Sequence, residues 1–413
     1  MNSDNNLADF TLAYYSGDRK TGSVAIVQYR NGKADIKKID VANESGMDKL
    51  RKPVFVGLTE DHQVIELDPV NKVLNIQDAF TADAFPAHIY SDPNSSRDWF
   101  MNDGDKETGN DTLNCGDAGS SVTVVDQTNS AQAQLLKTIC VGRGHHQAAF
   151  SFPSQQAPKV PDQAYISNLK DGTISVIGNN PESGDYLQVI ATIDLLESDK
   201  EKVAGENNAF PHGLAYSKVS GKVYNLNNGY GTIAIIDPVS NLIEGRMKLK
   251  GFSNLFMSPD GRFIIARGAD RKSDENHVIA KLAVIDVATN EVVHTVDLPD
   301  IYISKYYFNP EGTRLYLTTS SKGSPEQVAN IKADVLLAFD ITTLPELKLL
   351  SEVKVGASGS LSFLMKSGIT DLILSSDAEG GAIVVIDGAD HIVKQLLSVG
   401  DQVSHSRAWL LAS

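Results

Sequence analysis

Nine histidines and two cysteines are the soft ligands of this 413-residue chain, and five of the histidines keep company with one recurring phrase. His88 lies in Ala-Phe-Pro-Ala-His-Ile-Tyr-Ser and His212 in Ala-Phe-Pro-His-Gly-Leu-Ala-Tyr-Ser. His145 and His146 lie in Arg-Gly-His-His-Gln-Ala-Ala-Phe-Ser, and His405 in Ser-His-Ser-Arg-Ala-Trp-Leu-Leu. In each phrase the imidazole stands just before or at the start of an apolar run. That phase covers about 24 to 30 positions, so random scatter of the histidines would place about 0.5 to 0.7 there. Imidazole nitrogens brought to one point are the usual borderline ligand set for zinc, copper or iron, with zinc the first choice. Neighbouring residues of a strand face opposite sides, so only one of His145 and His146 can point the same way as the others. Two other uses of these histidines stay open. One is a hydrogen bond to a backbone carbonyl and nothing more. The other is general acid-base work in an enzyme. His62, His277, His294 and His391 fall in outer strands or loops and read as ordinary surface residues.

Other groups carry lesser signals. Arg143 and Arg407 sit beside these histidines and could bind a carboxylate or phosphate on a ligand, or pair with Asp401 or Glu206. Asp103, Asp105, Asn110, Asp111, Asn114 and Asp117 crowd a Gly-rich insertion that could hold calcium, although the spacing is not that of an EF-hand and a solvated acidic loop is the plainer reading. Cys115 and Cys140 flank an expected hairpin of Ser121 to Asp126 and Leu135 to Val141. Antiparallel pairing would bring them to one end, where a disulfide could form. Such a bond would favour an oxidising compartment, and two unpaired buried thiols are the alternative.

The elements that must position these residues form a repeat of roughly 40 to 55 residues. Its clearest copies are Phe252 to Asp270 followed by Ala280 to Leu298, and Ile303 to Ser320 followed by Ala333 to Val355. Each copy has an apolar strand ending in Ser/Asn-Pro-Asp/Glu-Gly, where Pro and Gly suit a tight turn. A second strand follows, then a β-branched third strand ending in Asp, a polar turn and a fourth strand. Weaker copies begin at Ala84, His145, Asn208 and Ser358. Near the N-terminus three strands lack a first one, and Val403 to Ser413 can supply it. Four antiparallel strands per repeat with complementary chain ends predict an all-β fold, a single β-propeller domain over residues 1–413 closed by the C-terminal strand. Counting Pro53 to Gln77 as a blade makes eight, the preferred number; absorbing it into a neighbour makes seven. In a propeller the innermost strands line a central channel, so the histidine phase falls at one channel mouth.

The phrases SPDGRFIIARG, LAVIDVATNEVVHTVDL, NPEGTRLYLTT and VVIDGADHIVKQLLSVG resemble YVTN-type propeller repeats, found in bacterial surface-layer and periplasmic proteins and, more distantly, in the haem d1 domain of cytochrome cd1 nitrite reductase. The Gly-His and Trp-Asp signatures of WD40 repeats do not recur. Gly144-His145-His146 at the start of an innermost strand resembles the metal-site region of the AztD-type periplasmic zinc chaperones, which are also propellers. The resemblance implies a metal-handling or accessory role in the periplasm.

Composition narrows the partners. Thirty-seven basic against 52 acidic residues, a net charge of −15, and no basic run argue against nucleic acid. No stretch approaches the roughly 20 apolar residues that span a bilayer, so a monomer without membrane insertion is expected. The chain opens on polar and acidic residues rather than a secretory signal. A periplasmic or secreted protein whose leader has been removed is favoured, with a cytoplasmic one as the alternative. Gly-x-Ser-x-Gly, His-Glu-x-x-His, a phosphate-binding Gly-x4-Gly-Lys and Cys-x-x-Cys-His are all absent, the last excluding covalent c-type haem within these residues. The leading expectation is a non-catalytic propeller that binds zinc or a metal-held small ligand at its channel mouth. A lactonase-like or haem d1-like enzyme is the first alternative, and a scaffold whose rim binds a protein partner is the second.

Overall fold

The computed structural model describes residues 9–16, 23–40, 49–50, 55–58, 63–68, 73–78, 86–104, 115, 120–126, 128, 134–204, 206–377, 379–399 and 408–411. Its strands form eight antiparallel sheets of four strands, seven of them made of strands consecutive in the chain. The remaining sheet joins the ends: Ala408–Leu411 pairs with Phe10–Ser16, Leu410 opposite Leu12, and becomes the innermost strand of the first blade. Lys49–Leu50, Phe55–Leu58, Gln63–Asp68 and Val73–Asp78 are a complete second blade, so the Pro53 to Gln77 segment is its own sheet and the count is eight.

The other blades start at innermost strands Pro86–Ser91, Ala148–Ser151, Pro211–Ser217, Phe252–Met257, Ile303–Phe308 and Ser358–Lys366, blades three to eight in chain order. Innermost strands of consecutive blades touch at several seams: Ala148–Ser151 against Pro211–Ser217, Pro211–Ser217 against Phe252–Met257, and Ser358–Lys366 against Ala408–Leu411, the contact that shuts the ring.

The core lies between blades. Trp99, Met101, Val122 and Val124 of the third pack on Ala148, Phe150, Ala164 and Ile166 of the fourth, and equivalent clusters fill the next seams. The middle strands are buried on both faces, as in Gln163–Asn168, whereas the outermost strand Leu242–Lys248 alternates exposed and half-buried. That gradient is why middle strands read as continuous apolar runs and outer ones alternate.

The turns follow the repeat's chemistry. At Ser258-Pro-Asp-Gly, Gly261 N–H donates to Ser258 O at 2.9 Å with φ of +81°, a conformation that favours glycine. Asp126, Asp286, Asp340 and Asp387, each ending a third strand, accept from the backbone N–H two residues on at 2.8 Å, which explains the recurring Asp. Helix is confined to one turn, Pro325–Val328, among the described residues. Cys115 and Cys140 form the expected disulfide, with Cα atoms 5.1 Å apart.

Candidate metal centre

In blades three and five to eight the innermost strand bulges at the histidine phase, whereas His145 lies in the segment that enters the fourth blade's unslipped strand. Register slips between Pro86 and His88, Pro211 and Leu214, Phe252 and Asn254, Ile303 and Tyr306, and Ser358 and Leu361. A bulge bends its strand and re-aims the side chains around it, which is how a β-ladder end can present a ligand inward. Glycines make the two tightest histidine approaches. Gly144, φ +107°, precedes His145, and a Cβ there would lie 2.6 Å from Lys170 N; Gly213, φ +132°, follows His212, and a Cβ there would lie 2.9 Å from Leu255 N.

Three imidazoles from three blades gather at this mouth. His88 Nε2 and His145 Nε2 are 2.7 Å apart, their ring centroids 4.6 Å apart and edge to face. The His145 ring stacks on that of His212 at 5.8 Å with 14° between planes. His145 is therefore the hub. Its Nδ1 lies 3.0 Å from Asp103 Oδ2, a carboxylate whose side chain is 1% exposed. A carboxylate only accepts, so the proton belongs on Nδ1 and the Nε2 lone pair faces His88. His88 then donates Nε2–H into that lone pair. His212 donates Nδ1–H to Ser253 O at 2.8 Å, which leaves its own Nε2 as the unprotonated nitrogen. Burial, then the charges of His145 and Arg267, pushes the His212 imidazolium pKa below its usual 6.5, favouring the neutral ring that binds metals.

Asp103 is held in place by Ser120, whose Oγ donates to Asp103 O at 3.1 Å and accepts from Gly144 N–H at 3.3 Å. Val141 N–H donates to Ser120 O at 3.2 Å, one residue beyond the disulfide-bonded Cys140. Carboxylate, serine, glycine and histidine thus form one connected patch at the seam of the third and fourth blades.

Among the described residues, no three His, Cys, Asp or Glu side chains already surround a common centre at ligand geometry. The donor chemistry fits a metal nonetheless. Nitrogens on a tetrahedral zinc at 2.0–2.1 Å sit about 3.3 Å apart, so the 2.7 Å pair needs to open by about 0.6 Å.

The other expected residues separate. His146 points away from the cluster: it is 0% exposed, its Nδ1–H donates to Ser167 O at 2.9 Å, and its buried Nε2 finds no partner. Burial lowers its pKa. Arg143 pairs with an acid other than those expected: its Nε and its backbone N–H donate to Asp171 at 2.8 and 2.7 Å. Together they line a polar cavity of about 320 Å³ with Lys170, Lys202 and Glu206. His405, Arg407 and, of the acidic loop, Asp105, Asn110, Asp111, Asn114 and Asp117 lie outside the described residues.

His391 does not fit the surface reading. It is 8% exposed and accepts or donates to Tyr316 Oη at 3.2 Å and Ser351 Oγ at 2.9 Å. It reaches from a turn of the eighth blade onto Tyr316 and Ser351 of the seventh, a tertiary placement that local pattern does not reveal. His277 is exposed and pairs with Asp300 at 2.7 Å, and His294 is half-buried in an outermost strand.

The sequence pattern reads Asp103 as part of a solvated acidic loop, with calcium as the alternative, and does not mark it as the carboxylate behind His145. Its position at the end of the second strand, facing the start of the next blade, was the available signal.

No family model matches the chain, and no curated protein matches it. Among solved structures, AztD from Citrobacter koseri aligns with a TM-score of 0.58 at 12% identity, covering 98% of this chain and 99% of that one. A protein described as a candidate 6-phosphogluconolactonase from Bacteroides fragilis NCTC 9343 aligns with a TM-score of 0.52 at 15% identity over 100% of both chains. Hydrazine synthase from Kuenenia stuttgartiensis aligns with a TM-score of 0.52 at 15% identity, covering 79% of this chain and 90% of that one. At such identities the likeness is one of fold: the chain is a β-propeller similar in architecture to AztD.

Proposed function

We propose that the protein is a metal-handling propeller that holds a transition metal, zinc first, at the mouth built by His88, His145 and His212. His405, at the same phase of the repeat, is the candidate fourth ligand, and copper or iron would use the same nitrogens. Asp103 orients His145 and fixes its tautomer, the role that outer-shell carboxylates play behind ligating histidines. The observation that carries the reading is the position of the His145 ring, in contact with His88 on one side and His212 on the other, with Asp103 fixing its tautomer. The resemblance to AztD-type zinc chaperones supports the same role and a periplasmic setting. Arg143 spends its Nε on Asp171, so a ligand would have to meet its terminal nitrogens, and calcium in the acidic loop is a separate proposal that Asp103 alone does not support.

Titration of metal-free protein with zinc tests the reading. About one equivalent should bind. His88→Ala, His145→Ala and His212→Ala should each weaken it tenfold or more, Asp103→Asn by about 10 to 100-fold, and His146→Ala should leave zinc affinity unchanged. Wild-type protein that takes up no zinc, copper or iron would overturn it.

The Asp103–His145 pair is also the arrangement of a general base with its orienting carboxylate, which favours a lactonase-like hydrolase as the second reading. Hydrolysis of a simple lactone by metal-free wild-type protein, lost in His145→Ala, would select it.

A further inference from the structure

Two basic side chains, Arg267 and Lys305, stand at the mouth on the two blades that follow His212. Arg267, in the second strand Phe263–Asp270 of the sixth blade, donates from NH1 to Ile303 O at 2.9 Å, the first residue of the seventh blade's innermost strand. Of a guanidinium's five donors, that is the one with a protein acceptor among the described residues. Its Nε is buried with no partner, and no carboxylate among the described residues pairs with it. Lys305, within the bulge of the seventh blade's innermost strand, extends to Gly359 O of the eighth at 3.2 Å, so a second cation stands at the same phase.

Arg267 is also joined to the histidines through Ser253. The Ser253 carbonyl accepts from His212 and its hydroxyl lies 3.4 Å from Arg267 O. Burial destabilises the charged form of Arg267, yet a guanidinium stays charged in proteins. Arg267 is half-buried with its Nε enclosed, and a charge so placed without a counter-ion among the described residues costs stability; a structural arginine there is normally matched to an acid. An unmatched one with an orphaned buried donor calls for a partner that is not part of the chain. Arginine is the residue best suited to hold a planar carboxylate or a phosphate.

We propose that Arg267 anchors a binding site for a small oxyanion, a carboxylate or phosphate, at the channel mouth beside His212. The site goes beyond the metal reading and does not require it. Citrate and inorganic phosphate are the two probes, each titrated calorimetrically into metal-free protein at low salt, and they separate a carboxylate ligand from a phosphate one. One saturable site for at least one probe is expected, weakened tenfold or more in Arg267→Gln and less in Arg267→Lys. Without anion, Arg267→Gln should melt at the same temperature as wild type or higher, because the substitution removes an uncompensated charge. No saturable binding of either probe, equal affinity in wild type and Arg267→Gln, or a lower anion-free melting temperature for Arg267→Gln would overturn the proposal, the last by making Arg267 a structural residue.

Discussion

At the scale of single residues, the histidines do different jobs, decided by what each Nδ1 meets and by whether the rest of the ring is enclosed. His145 meets a buried carboxylate and His212 a carbonyl, each leaving Nε2 as a lone pair at the mouth. His146 and His391 are enclosed. His391 faces Tyr316 and Ser351 directly, with Arg314, Asp387 and Asp390 near enough to act on its charge. Burial first, then Arg314, lowers its pKa from 6.5. The sign follows: below pH 6.5 the unfolded chain takes up a proton that the folded state resists, so stability falls with pH through that value and stops falling at the folded-state pKa. One proton contributes a slope of at most about 1.4 kcal/mol per pH unit. Chemical denaturation from pH 8 to 5 should show this loss in wild type and a shallower slope in His391→Gln; parallel slopes would count against it. The histidine phase was legible in the sequence because a repeated phrase marks it. The role of Asp103 was not, because the reach of its carboxylate across the seam to His145 Nδ1 is side-chain geometry that residue pattern does not carry.

At the scale of elements, repeat, turn and blade boundaries were readable from Pro-Asp-Gly turns and Asp-terminated strands, since those residues satisfy the backbone locally. The bulges were not readable. They arise where the innermost strand leaves its ladder at the channel mouth, and nothing in local propensity marks that point. The segment from Pro53 to Gln77 was ambiguous because its first strand, Lys49–Leu50, has only two residues and carries little pattern. The disulfide links this level to the site. It closes a 25-residue separation, which chain-entropy arguments value at about 3.5 kcal/mol of stability. It also fixes the start of the segment Val141 to His145. Cys115→Ser/Cys140→Ser should therefore lower the denaturation midpoint and weaken zinc binding together. A stability loss with unchanged zinc affinity would show that the disulfide holds the blade but not the histidine.

At the scale of the whole molecule, eight sheets closed by Ala408–Leu411 on Phe10–Ser16 form a ring in which every blade delivers one strand start to a common mouth. Blades three, four and five deliver histidines, and blades six and seven deliver Arg267 and Lys305. The fold itself does not ask for the histidines, since Ser253 and Ser304 occupy the corresponding phase of the sixth and seventh innermost strands. A propeller tolerates this variation because its stability sits in the seams between blades, leaving the mouth free to carry chemistry. The most direct test of that chemistry is X-ray absorption at the zinc edge on protein loaded with one equivalent of zinc. The account predicts at least three imidazole nitrogens at about 2.0–2.1 Å, with the imidazole scattering reduced in His145→Ala. A zinc shell of oxygen alone, or a spectrum unchanged by His145→Ala, would contradict it.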